Sequence, residues 1–396
     1  MSITNTPSIT SAQATHAPRD VDPRWERPTL NAEQLDGLAR DLDQIRADVR
    51  ADMGEKDARY IKRVVRMQRA LEVVGRCLVH FGFTPFTLVP GVLALGLSKI
   101  LDNMAIGHNV MHGQYDWMND PTLSSRTFDW DNTCDRESWQ RTHNHEHHYF
   151  TNVLGKDRDF GYALFRLSDD VKWRPPHRIQ LLELGILSAG FQWFVALHEM
   201  EVEKFATGEV TLESKRQYIR DTRAKILRVA FKEYLFFPAL AGPFFWKVLL
   251  CNLLANVIRN LWASTVIFLG HFPHQAQTFT EDDIAHESRG QWYLRQMLGS
   301  ANIEGGHLMH VLTGQLSCQI EHHLFPDLPA NRYEEIAPKV RAVCEKYGVA
   351  YNTGPFLRQY GSFLRRLMKY STRPSDERRV DPRYRKLQEA TGASAV

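Results

Sequence analysis

Val248 to Leu269 reads VLLCNLLANVIRNLWASTVIFL, 22 residues with a single formal charge, Arg259. That is close to the ~20 apolar residues a helix needs to cross a bilayer. The stretch closes an apolar block, Tyr234 to Leu269, that Pro238, Gly242 and Pro243 split in two. An earlier block runs from Leu71 to Ile106. Its second half, Thr84 to Leu101, is apolar apart from Thr84, Thr87, Ser98 and Lys99, whereas its first half carries Arg76 and His80 and reads as a weak span. A pair of spans in each block returns the chain to its starting side. Seven basic against two acidic residues between Lys56 and Arg76 place that side in the cytoplasm. The expected fold is an all-α integral membrane protein with about four spans in two hairpins, residues 71–107 and 234–271. A cytosolic helical cap is expected from residues 108–233 and 272–365.

The rest of the chain fits around that frame. Lys plus Arg total 49 and Asp plus Glu 46 among 396 residues, a net charge of +3 with no surplus for binding nucleic acid. The mean hydropathy of −0.38 shows that the apolar residues are concentrated rather than spread. Five cysteines, an odd number without a C-x-x-C pair, argue against a disulfide framework or a thiolate cluster. Residues 1–30 read as a disordered tail, the first 18 being Ser/Thr/Ala/Pro-rich without a signal-like apolar core. Leu35, Leu38, Leu42 and Ile45 then recur at helical spacing in a charged segment, predicting a solvated amphipathic helix. Residues 366–396 read as a basic tail that rests in water or on anionic lipid. No repeat of 20 to 50 residues is visible.

The chemistry lies with histidine. Of 17, 12 fall into tight groups between residues 108 and 323. His108 and His112 follow the first apolar block at i and i+4, so a helix turns both imidazoles to one face. Thr142-His143-Asn144-His145-Glu146-His147-His148 puts four imidazoles in six residues. There His143 and His147 share a helical face, while His148 turns about 100° away. Gln319-Ile320-Glu321-His322-His323 follows the second block, and His271 ends its last span. Imidazole suits Zn, Cu, Fe and Ni alike, but zinc takes four ligands, and so many clustered histidines imply two metals. No H-E-x-x-H is present, because Tyr149 and Val202 stand where the second histidines would be. The Glu-x-x-His pattern of carboxylate-rich di-iron bundles is also missing. What remains is a His-rich di-iron centre beneath a membrane, suited to turning O₂ against an unactivated C–H bond.

The order H-x-x-x-H, H-x-x-x-H-H, Q-x-x-H-H, interleaved with apolar hairpins, resembles the membrane fatty-acid desaturases. Likeness extends to Ile106-Gly107-His108-Asn109-Val110-Met111-His112-Gly113-Gln114, to Trp117-Met118-Asn119-Asp120-Pro121, and to Gly290 through Ser300, GQWYLRQMLGS. These stretches are similar to the actinobacterial acyl-CoA desaturases of the stearoyl-CoA 9-desaturase type, and the resemblance spans about residues 35 to 365.

That resemblance implies iron ligation by His108 and His112, by His143, His147 and His148, by His271, and by His322 and His323. His145 occupies a variable position and is set aside. Where the animal-type branch opens the third box with histidine, this chain has Gln319. Either that amide or His310 is expected to complete the iron shell, directly or through a water. The resemblance further implies a cis double bond placed in a long-chain acyl-CoA, with Δ9 favoured, by two irons that use O₂ and two electrons in a bent, dry tunnel. Basic cap residues, Arg158, Lys172, Arg174 and Arg178, are candidates to meet the carrier's phosphates. There is neither a G-x-G-x-x-G nor a cysteine set for an iron–sulfur cluster, so electrons from NAD(P)H are expected through a separate reductase. The other partners are substrate and membrane lipid, in the cell membrane, with the site on the cytoplasmic side. Three alternatives stay open: a His-box hydroxylase of alkanes, carotenoids or sphingolipids, a membrane haem protein, and a His-rich metal transporter or store.

Overall fold

The computed structural model describes residues 27–205 and 208–374. Helix dominates. Strand is confined, among the described residues, to β1, Asn302–Glu304, paired in parallel with β2, Thr353–Pro355, and to a single bridge between Val153 and Phe279. The N-terminal tail up to residue 26 and the basic tail from residue 375 lie outside the described residues.

Helix α1, Ala32–Ala51, starts at a reciprocal cap: the Asn31 side chain accepts the Gln34 N–H, and the Gln34 side chain accepts the Asn31 N–H. Its buried stripe, Leu38, Leu42, Ile45 and Val49, follows the period read from sequence. Helix α2, Glu55–Phe81, and α3, Pro85–Met111, form the first hairpin. Nothing between Lys56 and Phe81 breaks a helix, so the basic run and the weak apolar run become one rod. Residues 136–150 make α4. Helix α5, Gln180–Ala189, and α6, Phe191–His198, meet at Gly190. Residues 216–239 make α7, and α8, Phe245–His271, returns beside it after the turn at Gly242 and Pro243. The remaining cap helices are α9, Arg289–Leu298, α10, Gln319–Leu324, α11, Tyr333–Tyr347, and α12, Phe356–Ser371. Helix α12 runs past the boundary at 365/366 that charge suggested, because Phe363, Leu367 and Tyr370 continue a buried stripe.

Helix α3 packs between α2 and α8, with Val79, Leu95, Val248, Cys251 and Ala255 at the contact. Around this core Phe81, Phe86, Leu235, Phe236, Phe244 and Trp246 are exposed. So large an apolar rim on a folded chain marks a surface meant for lipid. Among the described residues two helices, Pro85–Met111 and Gly242–His271, are long and apolar enough to cross a membrane, short of the four expected. Their hairpin partners α2 and α7 carry too many charges. A third candidate is the apolar pair Pro175–Ala189 and Phe191–His198, bent by 101°, in a stretch read as cytosolic cap. Its exposed Leu181, Leu182, Ile186 and Leu197 give it an apolar outer face.

The charges that weakened the span readings are matched inside. Arg76 donates to Glu233 at 2.9 Å and to Asn252 at 2.9 Å, and Lys99 lies 3.1 Å from Glu233. Arg259 donates to Asn260 at 2.8 Å and also to Gln192. Buried charge so near hydrocarbon persists only when partnered. In the cap, α1 lies on α9 and α11. The loop before α11 is tied to α2 by Arg332, whose guanidinium holds Asp57 at 2.6 and 2.9 Å.

Candidate metal centre

The first two histidine segments depart from the regular α-helix, while the third, Gln319–Leu324, and His271 keep it. Leu101–Gly107 and Gln140–His147 are π-helical, a rare widening of the turn that recurs at functional sites. The first places His108 and His112 at the C-terminal end of α3 with ring centroids 4.6 Å apart. The second changes what the 3.6-residue period implied. His143 and His147 stack at 5.0 Å, and His148, rather than turning away, lies 5.0 Å from His143 and 5.5 Å from His147. All three face inward.

The structure brings the eight expected ligands together, seven of them in two groups. His108, His112, His143 and His322 each offer a nitrogen within 4.8 Å of the others, and His147, His271 and His323 do the same. In the first, His108 Nε2 is 3.2 Å from His143 Nε2. In the second, His271 Nε2 lies 3.3 Å from His147 Nε2 and 3.0 Å from His323 Nε2. His148 sits between them, stacked on His323 at 4.3 Å and edge-on to His112 and His322 at 4.6 and 4.7 Å. Two imidazoles can share a proton, but convergent rings cannot all donate inward. His112 Nε2, His322 Nε2 and both His148 nitrogens are buried without a hydrogen-bond partner. With metal–imidazole bonds of about 2.1 Å, ligands at right angles stand about 3.0 Å apart and tetrahedral ones about 3.4 Å. The three separations above, 3.0 to 3.3 Å, fall in that range, so the donor set fits transition-metal ions.

Electrostatics favour the same use. Burial pushes His112, His148, His322 and His323 well below the ordinary histidine range, and repulsion among the rings adds to it. They are therefore neutral, with lone pairs available. His147 differs: burial lowers it, but the Asp157 carboxylate raises it above the ordinary value.

A supporting layer escaped the sequence reading. Asp157 receives His147 Nδ1 at 3.0 Å and Asp159 receives His143 Nδ1 at 3.0 Å. His323 Nδ1 lies 3.1 Å from Gln296 and from Thr151, and His322 Nδ1 3.4 Å from the Tyr333 hydroxyl. Such partners fix the ring's tautomer and aim its other nitrogen. The available signal was Asp157-Arg158-Asp159, a pair of carboxylates soon after the second box.

Of the two residues expected to complete the shell, Gln319 is at the site and His310 is not among its grouped ligands. Gln319 Nε2 lies 2.9 Å from His271 Nε2, and its Oε1 is buried without a partner. Gly270 permits this approach, since a Cβ there would stand 2.9 Å from the Gln319 side chain. His310 instead engages the Ser317 hydroxyl at 2.7 Å. His145 is exposed, apart from the cluster. The proposed phosphate partners are scattered. Arg158 donates to the His198 carbonyl at 2.6 Å beside Glu201, Lys172 and Arg174 line a cavity of about 330 Å³, and Arg178 lies over Trp173 at 5.2 Å.

Residues 84–355 match the family described as Fatty acid desaturase. The chain is 47% identical over 346 residues to the NADPH-dependent stearoyl-CoA 9-desaturase of Mycobacterium tuberculosis, covering 86% of this chain and 81% of that one. It is 28% identical over 276 residues to the sn-1 linoleoyl-lipid 6-desaturase of Arthrospira platensis, covering 66% and 71%. To fatty acid desaturase 3 of Bos taurus it is 24% identical over 322 residues, covering 76% and 66%.

Proposed function

The chain belongs to the fatty acid desaturase family, and we propose that it holds two non-haem irons and places a cis double bond at the Δ9 position of stearoyl-CoA or a similar long-chain acyl-CoA. One observation carries this reading: eight imidazoles converge, seven of them in two groups with His148 between, where two apolar helices enter a helical cap. His108, His112, His143 and His322 would hold one ion, and His147, His271 and His323 the other. His148 lies within reach of both, and Gln319 completes the second group through its amide oxygen or a water. When bound, the irons supply the oxidising power of O₂ against the C–H bonds of two adjacent methylenes. The protein's part is to position and to insulate. Asp157 and Asp159 hold His147 and His143 in one tautomer, and burial keeps bulk water from a reactive centre.

Nothing chemical distinguishes neighbouring methylenes, so regiochemistry rests on how deep the chain can enter. Electrons come from NADPH through a separate reductase, a reading supported by the NADPH dependence of the Mycobacterium tuberculosis relative. The sequence itself has no dinucleotide motif. The site faces the cytoplasm of the cell membrane, on the side of the basic run in α2. The test is expression in a desaturase-deficient host with mapping of the double bonds in its lipids. The expected product is a cis 9-monounsaturated chain. An alcohol would identify a hydroxylase, and recovery of metal with no new lipid would favour a store or transporter.

A further inference from the structure

A groove of about 780 Å³ opens between α2, the C-terminal end of α3, the loop before α4, and α7. One rim is a cationic stripe: Arg59, Lys62, Arg66 and Arg69, at i, i+3, i+7 and i+10, share a face of α2. The opposite rim, on α7, is already compensated, with Lys225 and Arg228 on Asp129 and Lys232 on Asp131 at 2.7 Å. Of the α2 stripe only Arg59 is, paired with Glu55 at 2.6 Å. Lys62 comes only within 4.0 Å of Asp120, and neither Arg66 nor Arg69 has a carboxylate partner among the described residues. Like charges on successive turns repel, which makes this rim a place where an anion relieves an existing cost.

The inner wall is of another kind. Ile106, Leu123, Phe128 and Trp130 give it an apolar strip, flanked by Asp102 and by Asp131, which Lys99 and Lys232 pair. Trp130 lies 5.4 Å from Trp139, whose ring stacks on His143 at 4.4 Å. A cationic mouth therefore leads to an aromatic wall that abuts the histidine cluster.

We propose that this groove receives the substrate's head, with the phosphates of its nucleotide carrier on Lys62, Arg66 and Arg69 and the acyl chain running inward along Phe128 and Trp130. This rests on the acyl-CoA reading above, and it locates the head away from the cavity at Lys172 and Arg174. That cavity is less than half as large. The phosphate of an anionic lipid headgroup shares the relevant chemistry, and the two sources are separable.

The test uses the full chain in nanodiscs of phosphatidylcholine, with coenzyme A binding followed by calorimetry. Arg66→Glu/Arg69→Glu should weaken that binding about tenfold or more, because two charge-assisted contacts are lost. The binding should also become less sensitive to salt. Arg66→Gln/Arg69→Gln should give a smaller loss, and the control Lys339→Glu, on α11, none. In turnover the double variant should raise KM for stearoyl-CoA while keeping kcat within about twofold, as expected when only ground-state binding is removed. Unchanged coenzyme A affinity in Arg66→Glu/Arg69→Glu overturns the proposal. So does an effect that appears only on nanodiscs containing phosphatidylglycerol, which would assign the stripe to lipid. If coenzyme A binding depends on the stripe but no acyl-CoA is ever desaturated, the groove stands and the catalytic reading fails.

Discussion

Replacing Asp157 by asparagine removes one charge from behind the metal site without removing its side chain. In the native chain His147 Nδ1 lies 3.0 Å from both carboxylate oxygens. The same carboxylate, fully buried, accepts the N–H of Asn152 at 2.7 Å and of Asp159 at 3.0 Å. An amide keeps one acceptor oxygen, but its NH₂ must confront one of those N–H donors. A hydrogen bond to a charged group is worth about 1.5–3 kcal/mol and a neutral one about 1 kcal/mol. His147 is thus held less firmly by ~1–2 kcal/mol, which is ~10-fold in binding. This agrees with the ~10–100-fold seen when the partner of a metal-ligating histidine is lost. The assay is chelator competition on iron-loaded full-length protein, with iron per chain measured at each step. A thermal melt of the metal-free form separates folding from binding. Iron in the group of His147, His271 and His323 should leave first, so the variant passes through a state with one iron per chain. An Asp157→Asn protein that keeps both irons at native affinity and turns over at the native rate would refute this role.

Three further perturbations test neighbouring parts. His271→Ala should abolish turnover and iron retention in its group, since His271 lies within 3.3 Å of His147 and 3.0 Å of His323. His274→Ala, in a loop held by a backbone bond to Ser362, should keep most activity; equal activity of the two would remove His271 from the site. Gln319→His should retain iron and activity by offering a ninth imidazole, whereas Gln319→Leu should lose activity; a fully active leucine variant would show that the amide plays no part. Burial pushes Glu199 up to about 8 against the lowering bond from Thr142. Its folded form therefore keeps a proton that the unfolded chain releases near 4.5. That contribution is complete below the unfolded value and is lost as pH rises toward 8, at up to about 1.4 kcal/mol per pH unit. Denaturation series should show a flatter pH profile for Glu199→Gln, and parallel profiles would contradict the shift.

What the sequence exposed and what it hid follow from range. The apolar run at Val248 to Leu269 and the adjacent pairs His147-His148 and His322-His323 are local patterns, visible in a short window; the run is helical, and both pairs join the histidine cluster. The π turns were not legible, because Leu101–Gly107 and Gln140–His147 differ from α-helix only in which carbonyl each N–H finds. That choice is set by packing in the assembled protein. The 3.6-residue period therefore sets His148 about 100° from His143 and His147, whereas the π turn brings it to them. Asp157 and Asp159 are ordinary surface-type residues until a chain reversal carries them under the histidines. The bent apolar pair was missed because Glu183, Gly190 and Gln192 interrupt it before any run approaches a full span. The charges that counted against a first span, Arg76 above all, are balanced by Glu233 from residues far along the chain. No window of neighbouring residues contains both partners.

The most direct measurement is the metal content of the purified full-length protein, read by elemental analysis beside its absorption spectrum. Eight convergent imidazoles, seven of them in two groups with His148 between, predict two non-haem irons per chain and no Soret band. One zinc per chain with no iron would contradict a di-iron centre.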